Sequence, residues 1–336
     1  VIKLRAGKSG LVFRYSSQGA KQMIKNATRM SKRLAFLNDR PLEQTASLSE
    51  LASVHPAKTE AERLAAARLV AQLYAVEGYL DEKNGNQNPN NDLQPFYTFH
   101  HLLEEAVVFV AETNGRIWGT LTIIFDSPAG LPLETLYEPE IAQLRKQKRK
   151  LCEFCSLAVD PRAGRDGSAL VLKLFKTAFA YAYQAIGATD ICITLKPSHG
   201  AFYRRLRFEV FGPFRRDRRF GDAPTIAVRL RREQVEDFRR LAVGQGRAYG
   251  ISAYLSEQLS SEDLHALLAA KNEGKRRSEE VLNWILRRPA ILTEAQPQQR
   301  QYLLSQFQRL LIERESSADV TQLLKNKESW RPVPLD

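Results

Sequence analysis

The chain has 336 residues, 43% of them hydrophobic, and a net charge of +12. It can bury one substantial core plus an appendage, it has no run approaching membrane-spanning length, and its three cysteines argue against a disulfide framework. The charge is uneven, with ten Lys/Arg against two Asp/Glu in residues 1–48 and thirteen Arg against six acids in residues 204–247. No zinc spacing, heptad-linked basic helix or aromatic RNA-binding signature accompanies it, so nucleic acid is excluded as the favoured partner. An anionic membrane, an acidic protein and a plain solvated surface stay open. Lys3, Arg5 and Lys8 are followed by no apolar stretch that would serve as a secretion signal, so the expected location is the cytoplasm.

The first section, residues 1–50, reads as a basic helical arm. Met23, Ile24, Ala27, Met30, Leu34 and Leu37 follow helical spacing across Gln18–Leu37, with Lys21, Lys25, Arg29 and Lys32 on the rest of the surface. Such a helix either lies on anionic lipid at the membrane periphery or packs on the main domain. Residues 51–232 follow as the main domain. A short strand is expected over Leu51–Val54, then a helix over Glu60–Glu77 with Thr59 as N-cap and Glu60 and Glu62 in its first turn. Asn84–Asp92 is a cluster of polar turn formers and predicts a loop. Val107–Glu112, Asn114-Gly115 and Arg116–Phe125 spell a β-hairpin with a two-residue turn.

Next come the loop PAGLPLETLY, a basic helix EIAQLRKQKRK, and a strand LCEFCSLAVDP. Cys152 and Cys155 are three apart on that strand and point to opposite faces, so neither a disulfide nor a shared metal is expected. Glu153 is the only acid between Glu140 and Asp160, set in an apolar strand. Burying it costs several kcal/mol or shifts its pKa unless it is paired, by Arg149 or Lys150 for instance. A turn, Arg162–Gly167, leads to a helix over about Ser168–Ile186, then to the apolar strand Asp190–Leu195 and the segment PSHGAFYRRLRFEVFG. His199 and the pair His100-His101 lack metal spacing and are given no chemistry. From Glu233 to Asp336 the chain is expected to be helical, with helices starting at Ser261, spanning Lys275–Arg288 until Pro289 ends it, and spanning Glu294–Glu315. This appendage either docks on the main domain or pairs two chains into an oligomer.

The pieces GTLTI–DSP–GLP–E–LR, CEFCSLAVDPR and FYRRLRFEVFG resemble the long-chain N-acyl amino acid synthases, relatives of the acyl-homoserine lactone synthases. Both belong to the GCN5-related N-acyltransferase (GNAT) fold. The resemblance covers roughly residues 50 to 232. It implies an α+β fold, a mixed and mostly antiparallel sheet flanked by helices, here with a C-terminal helical appendage. It also implies an enzyme that moves a fatty acyl group from acyl carrier protein to the α-amine of an amino acid by direct attack on the thioester. No tightly bound cofactor is implied; the donor is an acyl-phosphopantetheine on the carrier protein, or acyl-CoA. An acyl-CoA-dependent transferase for another amine, and a non-catalytic acyl- or protein-binding module, are the alternatives.

The resemblance also assigns residues. The turn before the helix grips the pantetheine phosphate through Gly167, Ser168 and the helix N-terminus, helped by Arg162 and Arg165. Arg165 stands where the general pattern has its first Gly, which suits a donor with one phosphate over the pyrophosphate of coenzyme A. A freed N–H near Ser156 or Leu157 polarises the thioester carbonyl. Glu153 takes the amine proton, and Tyr203 either donates a proton to the leaving thiolate or only packs in the core with Phe202, Leu206 and Phe208. Lactone synthases carry an Arg where this chain has Ser156, so the amino acid synthase is favoured. Asp126 either grips the acceptor ammonium or caps a turn, and Gly130 helps shape the substrate pocket. The segment Phe208–Phe220 is expected to line an acyl channel.

Overall fold

The computed structural model describes residues 47–80, 94–245, 254–273 and 278–312. The basic helix expected over Gln18–Leu37 and the loop expected over Asn84–Asp92 lie outside them. A short helix α1 (Leu48–Leu51) precedes strand β1 (Ser53–Pro56), so the strand starts later than expected because Leu51 still belongs to the helix. Helix α2 spans Glu60–Val76 and is closed by a capping box. The Thr59 hydroxyl accepts from the Glu62 N–H at 3.2 Å, while the Glu62 carboxylate accepts from the Thr59 N–H at 3.3 Å.

Strands β2 (Ala106–Thr113) and β3 (Arg116–Phe125) form the expected hairpin. Both turn residues, Asn114 and Gly115, take positive φ (52° and 77°), which matches the twist of the strands they join. β4 (Leu151–Val159), β5 (Asp190–Leu195), β6 (Glu209–Asp217) and β7 (Ala223–Arg231) complete a seven-stranded sheet of order β1-β2-β3-β4-β5-β7-β6. Only β4 and β5 run parallel. A parallel pair needs a crossover, here helix α4 (Gly167–Phe179), which continues into one π-helical turn over Ala180–Ala185. This is the mixed, mostly antiparallel sheet that the resemblance implies.

Alternation along the strands divides two apolar layers. Phe109, Ile123, Cys152 and Phe154 face α4 through Leu174, Phe175 and Phe179. The other face meets α2 at Val108 and Val110, and meets helix α3 (Glu134–Lys146) at Ile124 and Leu151. The loop expected over residues 128–137 is therefore already helical from Glu134, with a kink at Tyr137 (φ −126°, ψ 34°) just ahead of Pro139.

The expected C-terminal helices are α6 (Arg232–Gln245), α7 (Ser261–Glu273), α8 (Ser278–Arg287), α9 (Ala290–Glu294) and α10 (Pro297–Ile312). Pro289 does end α8, but it also caps α9, so Glu294 closes that short helix and α10 begins only at Pro297. The last three helices dock on the main domain: Trp284, Ile291, Leu303 and Phe307 share a core with Tyr97, Phe99 and Leu103. Across this seam Arg63 of α2 and Glu280 of α8 form a buried ion pair at 2.5 Å, and Arg63 also donates to the Ala57 carbonyl at 2.7 Å.

Candidate active site

The site begins where β4 stops behaving as an ordinary strand. Thr122 pairs with Cys155 but Thr120 pairs with Ala158, so β4 carries one residue more than β3 between those points. The surplus is absorbed at Ser156, which takes φ +53°. Such a bulge shifts the side-chain alternation by one: Glu153 and Cys155 face the α2–α3 side, while Leu157 and Val159 pack toward α4. The parallel pairing with β5 covers only Leu151–Glu153. Beyond Glu153 the two strands separate, and backbone N–H groups of the Ser156–Leu157 bulge are left out of that ladder.

Glu153 is 2% exposed. Its Oε2 accepts from the Leu133 N–H at 2.8 Å, at the mouth of α3 where the helix dipole favours a negative charge. Burial pushes its pKa up to about 8, against the opposing pull of the Leu133 N–H and the Arg219 guanidinium. A carboxylate poised there can change protonation state near neutrality. Arg149, one of the expected ion-pair partners, instead bonds Glu233 at 2.7 Å and the buried Asp190. Lys150 offers its backbone N–H to the Thr189 hydroxyl at 2.8 Å.

Ser156 is buried, and its Oγ lies 3.2 Å from Nε2 of His101. The Thr98 N–H donates to Nδ1 of that ring at 3.1 Å, which leaves the proton on Nε2 and makes the serine oxygen the acceptor. His101 is thus a site neighbour that the sequence reading passed over; fifty-five residues separate it from Ser156, and no local motif joins them.

The turn after β4 is a tight helical stretch over Pro161–Asp166 in which Gly164 takes φ 56°, ψ −115°, a conformation open essentially to glycine alone. Gly167 and Ser168 open α4, and no side chain caps that helix start. Arg162 is exposed but already paired: its guanidinium forks onto Asp160 at 2.7 to 3.1 Å and, with help from Arg116, holds that carboxyl at about 2. Arg165 is exposed and has no ion-pair partner among the described residues.

Tyr203, on the short helix α5 (Gly200–Arg205), packs edge-on against Phe175, Phe202 and Phe208. Burial pushes its phenol well above the usual range, so it stays protonated. Asp126 holds Arg145 with both oxygens, at 2.9 and 2.6 Å, and Glu134 binds the same guanidinium at 2.7 Å. Its carboxylate is therefore already engaged by a cation. Gly130 takes φ +75°, and a Cβ there would sit 2.9 Å from Glu134 Oε1, so the loop requires glycine. Arg219 forks onto Asp217 and also bonds the Pro132 carbonyl at 3.0 Å, which places its charge near Glu153. Phe220 does not line a channel along β6. It clusters with Tyr74, Tyr79 and Phe96, while Val210 and Phe214 of β6 are exposed.

Next to the turn that holds Glu153 lies a groove of about 1130 Å³, walled by residues 94–100, the segment 127–138, Arg219 and Phe220, and the C-terminal stretch 287–299. Among the described residues no His, Cys, Asp and Glu group suits a metal ion, and no helix is long and apolar enough to cross a membrane.

A search of curated proteins gave no match. Among solved structures, FeeM, an N-acyl amino acid synthase from uncultured soil microbes, is 26% identical, covering 54% of this chain and 89% of its own at a TM-score of 0.46. The CoA-dependent acyl-homoserine lactone synthase BjaI is 16% identical over 58% of this chain and 91% of its own, with a TM-score of 0.41. An acyl-CoA N-acyltransferase from Pseudomonas aeruginosa is 16% identical over 53% and 98%, with a TM-score of 0.36. Residues 65–231 match the family model described as N-acyl amino acid synthase FeeM, and through that GNAT-like domain the chain belongs to the N-acyl amino acid synthase family.

Proposed function

We propose that this N-acyltransferase moves a fatty acyl group from the phosphopantetheine thioester of acyl carrier protein to the α-amine of an amino acid. The observation that carries the reading is Glu153, a buried carboxylate with its pKa raised to about 8, three residues before a bulge where the sheet opens. The neutral amine attacks the thioester carbon, the C–N bond forms, and the carbonyl π pair moves onto oxygen. N–H groups of the Ser156–Leu157 bulge stabilise that oxyanion. Glu153 takes the proton from the attacking nitrogen. Collapse of the intermediate re-forms the carbonyl and breaks the C–S bond. The Tyr203 hydroxyl, which keeps its own proton, donates a hydrogen bond to the departing thiolate, and the thiolate takes its proton from water.

Arg165 and the uncapped start of α4 at Gly167 and Ser168 receive the donor's phosphate. Arg162 contributes by holding Asp160 neutralised beside that site. Coenzyme A is the second reading for the donor, and an uncapped helix N-terminus serves either phosphate. The purified chain should form an N-acyl amino acid from acyl carrier protein thioester and free amino acids, read by mass spectrometry. Absence of product with every amino acid and with both donor types would sink the proposal; product from acyl-CoA alone would remove the carrier protein.

A further inference from the structure

The groove next to the turn that holds Glu153 is not built by the family segment alone. One wall consists of Phe96, Tyr97 and Phe99 and the loop around Gly130 and Leu131, within residues 65–231. The facing wall consists of Arg287, Arg288, Ala295, Gln296, Gln298 and Gln299, all beyond that segment. The walls are fastened to each other. Gln299 donates to the Ala129 carbonyl at 2.9 Å, Arg288 bonds the Tyr97 carbonyl, and the Tyr97 hydroxyl bonds the Trp284 carbonyl.

We propose that this groove seats the acyl acceptor, a polar amino acid, and that the C-terminal helices α8–α10 select it. The inference rests on the acyl-transfer reading above. Position supports it first. The loop that lines the groove at Leu131 also carries the Leu133 N–H that holds Glu153, and Arg219 lines the groove while its charge reaches the same carboxylate. The groove and the carboxylate therefore share one turn, Leu131–Glu134. The donor's phosphate site lies past the other end of β4; Glu153 to Val159 spans about 20 Å at the usual rise per strand residue, so the two substrates approach the thioester carbonyl from opposite ends of the strand.

The lining supports it second. Four guanidinium groups (Arg145, Arg219, Arg287, Arg288), the carboxylates of Glu134, Glu138 and Glu294, and four glutamine amides border the space. Phe96, Phe99, Leu131 and Phe220 add apolar surface between these groups, enough for the methylenes of an amino acid side chain at roughly 0.8 kcal/mol each. Arg145 pairs with Glu134 and Arg288 with Glu294, so a zwitterion with a hydrogen-bonding side chain binds by sharing these ion pairs and through the glutamine amides. His100 adds a buried point of recognition: it is 7% exposed, and its Nε2 has no hydrogen-bond partner among the described residues. Burial lowers that ring's pKa to about 4, so it meets a ligand as a neutral imidazole.

The test uses the full chain. Free amino acids are screened one at a time by calorimetry against the wild type, Gln298→Trp, and Gln296→Trp as a second groove-filling variant. Glu262→Trp, at the exposed start of α7, controls for bulk. One or a few polar amino acids should bind the wild type and the control, and binding should weaken at least tenfold in the groove-filling variants with the melting temperature unchanged. In turnover the same variants should raise the acceptor KM at least tenfold and leave the donor KM unaltered. Equal amino acid binding in wild type and both variants overturns the proposal, as does competition for the groove by a fatty acid in place of an amino acid. Binding lost in the variants, with no acyl transfer from any thioester, would defeat the reaction reading while keeping the pocket. Transfer to amines by a chain that binds no amino acid would do the reverse.

Discussion

The two halves of β4 make a contrast. From Leu151 to Glu153 the strand is paired on both sides, with β3 and with β5. From Ser156 to Val159 it keeps only β3, carries a bulge, and has lost β5 as a neighbour. The paired half holds Glu153 buried, and the opened half leaves backbone N–H groups without a β5 partner. One strand thereby holds the buried carboxylate and the proposed oxyanion site in fixed relation by the continuity of the chain.

Substitutions can break that contrast in graded steps. Phe154→Ala, just past the paired half, removes a ring packed on Phe175 and Phe179 and should cost about 3–5 kcal/mol in denaturant unfolding. Glu153→Gln keeps the shape and an acceptor for the Leu133 N–H. It should lower kcat by about 10²–10⁴ with no loss of melting temperature. Wild-type rates in that variant would remove Glu153 from the chemistry.

The same residue sets the pH dependence. A base must be ionised, so kcat/KM should climb tenfold per pH unit and level off above about pH 8. Stability should move the other way. The folded pKa of about 8 lies above the ordinary 4.5, so between those values the folded chain holds a proton that the unfolded chain has lost. This group's contribution is therefore full below 4.5 and fades as pH rises toward 8. Glu153→Gln should remove both slopes, which thermal melts and initial rates across that range would measure.

In the opened half, Ser156→Val places a β-branched residue at φ +53° and deletes the oxygen that receives the His101 N–H. A loss of about 1–2 kcal/mol is expected, whereas Ser156→Asn should be milder because Asn tolerates that backbone. Equal stability of the two variants would mean that the bulge sets no backbone constraint. The smallest effect is expected from Arg165→Ala: a few-fold rise in the donor KM that shrinks with added salt, since exposed charges are screened over about 8 Å at physiological ionic strength. A salt-independent change would assign Arg165 a structural role.

Much of the sheet was legible because its signals are local. Asn114-Gly115 between alternating strands gave the hairpin, Thr59 with Glu62 gave the start of α2, and the apolar run Asp190–Leu195 gave a strand, though not its parallel pairing with β4. Glu153 stood out as an acid in an apolar strand. Its surroundings were not legible, because they are made by residues distant in sequence and by backbone. The hydrogen bond from Leu133 depends on α3 beginning at Glu134, where the Gly and Pro around position 131 suggested a loop. Arg219 reaches the site from the end of β6, and His101 from a segment with no motif. Arg162 looked free for phosphate because nothing in the sequence announces that Asp160, two residues earlier, turns back to clasp it. The groove was invisible for the same reason, one wall being more than a hundred residues from the other.

The ion pair between Arg63 and Glu280 has a consequence for how the chain can be divided. Its side chains are 6% and 7% exposed, so cutting the chain near residue 233 would strand a cation in a hollow and bare the apolar faces of Tyr97 and Phe99. Leaving such a charge without its mate costs about 3–5 kcal/mol, a sum on the scale of a whole domain's stability. A fragment ending at residue 232 should therefore be recovered as aggregate. A fragment of residues 233–336 added in trans should restore it only when it carries Glu280. Grafting this tail onto another acyltransferase would require carrying the lock along with the key.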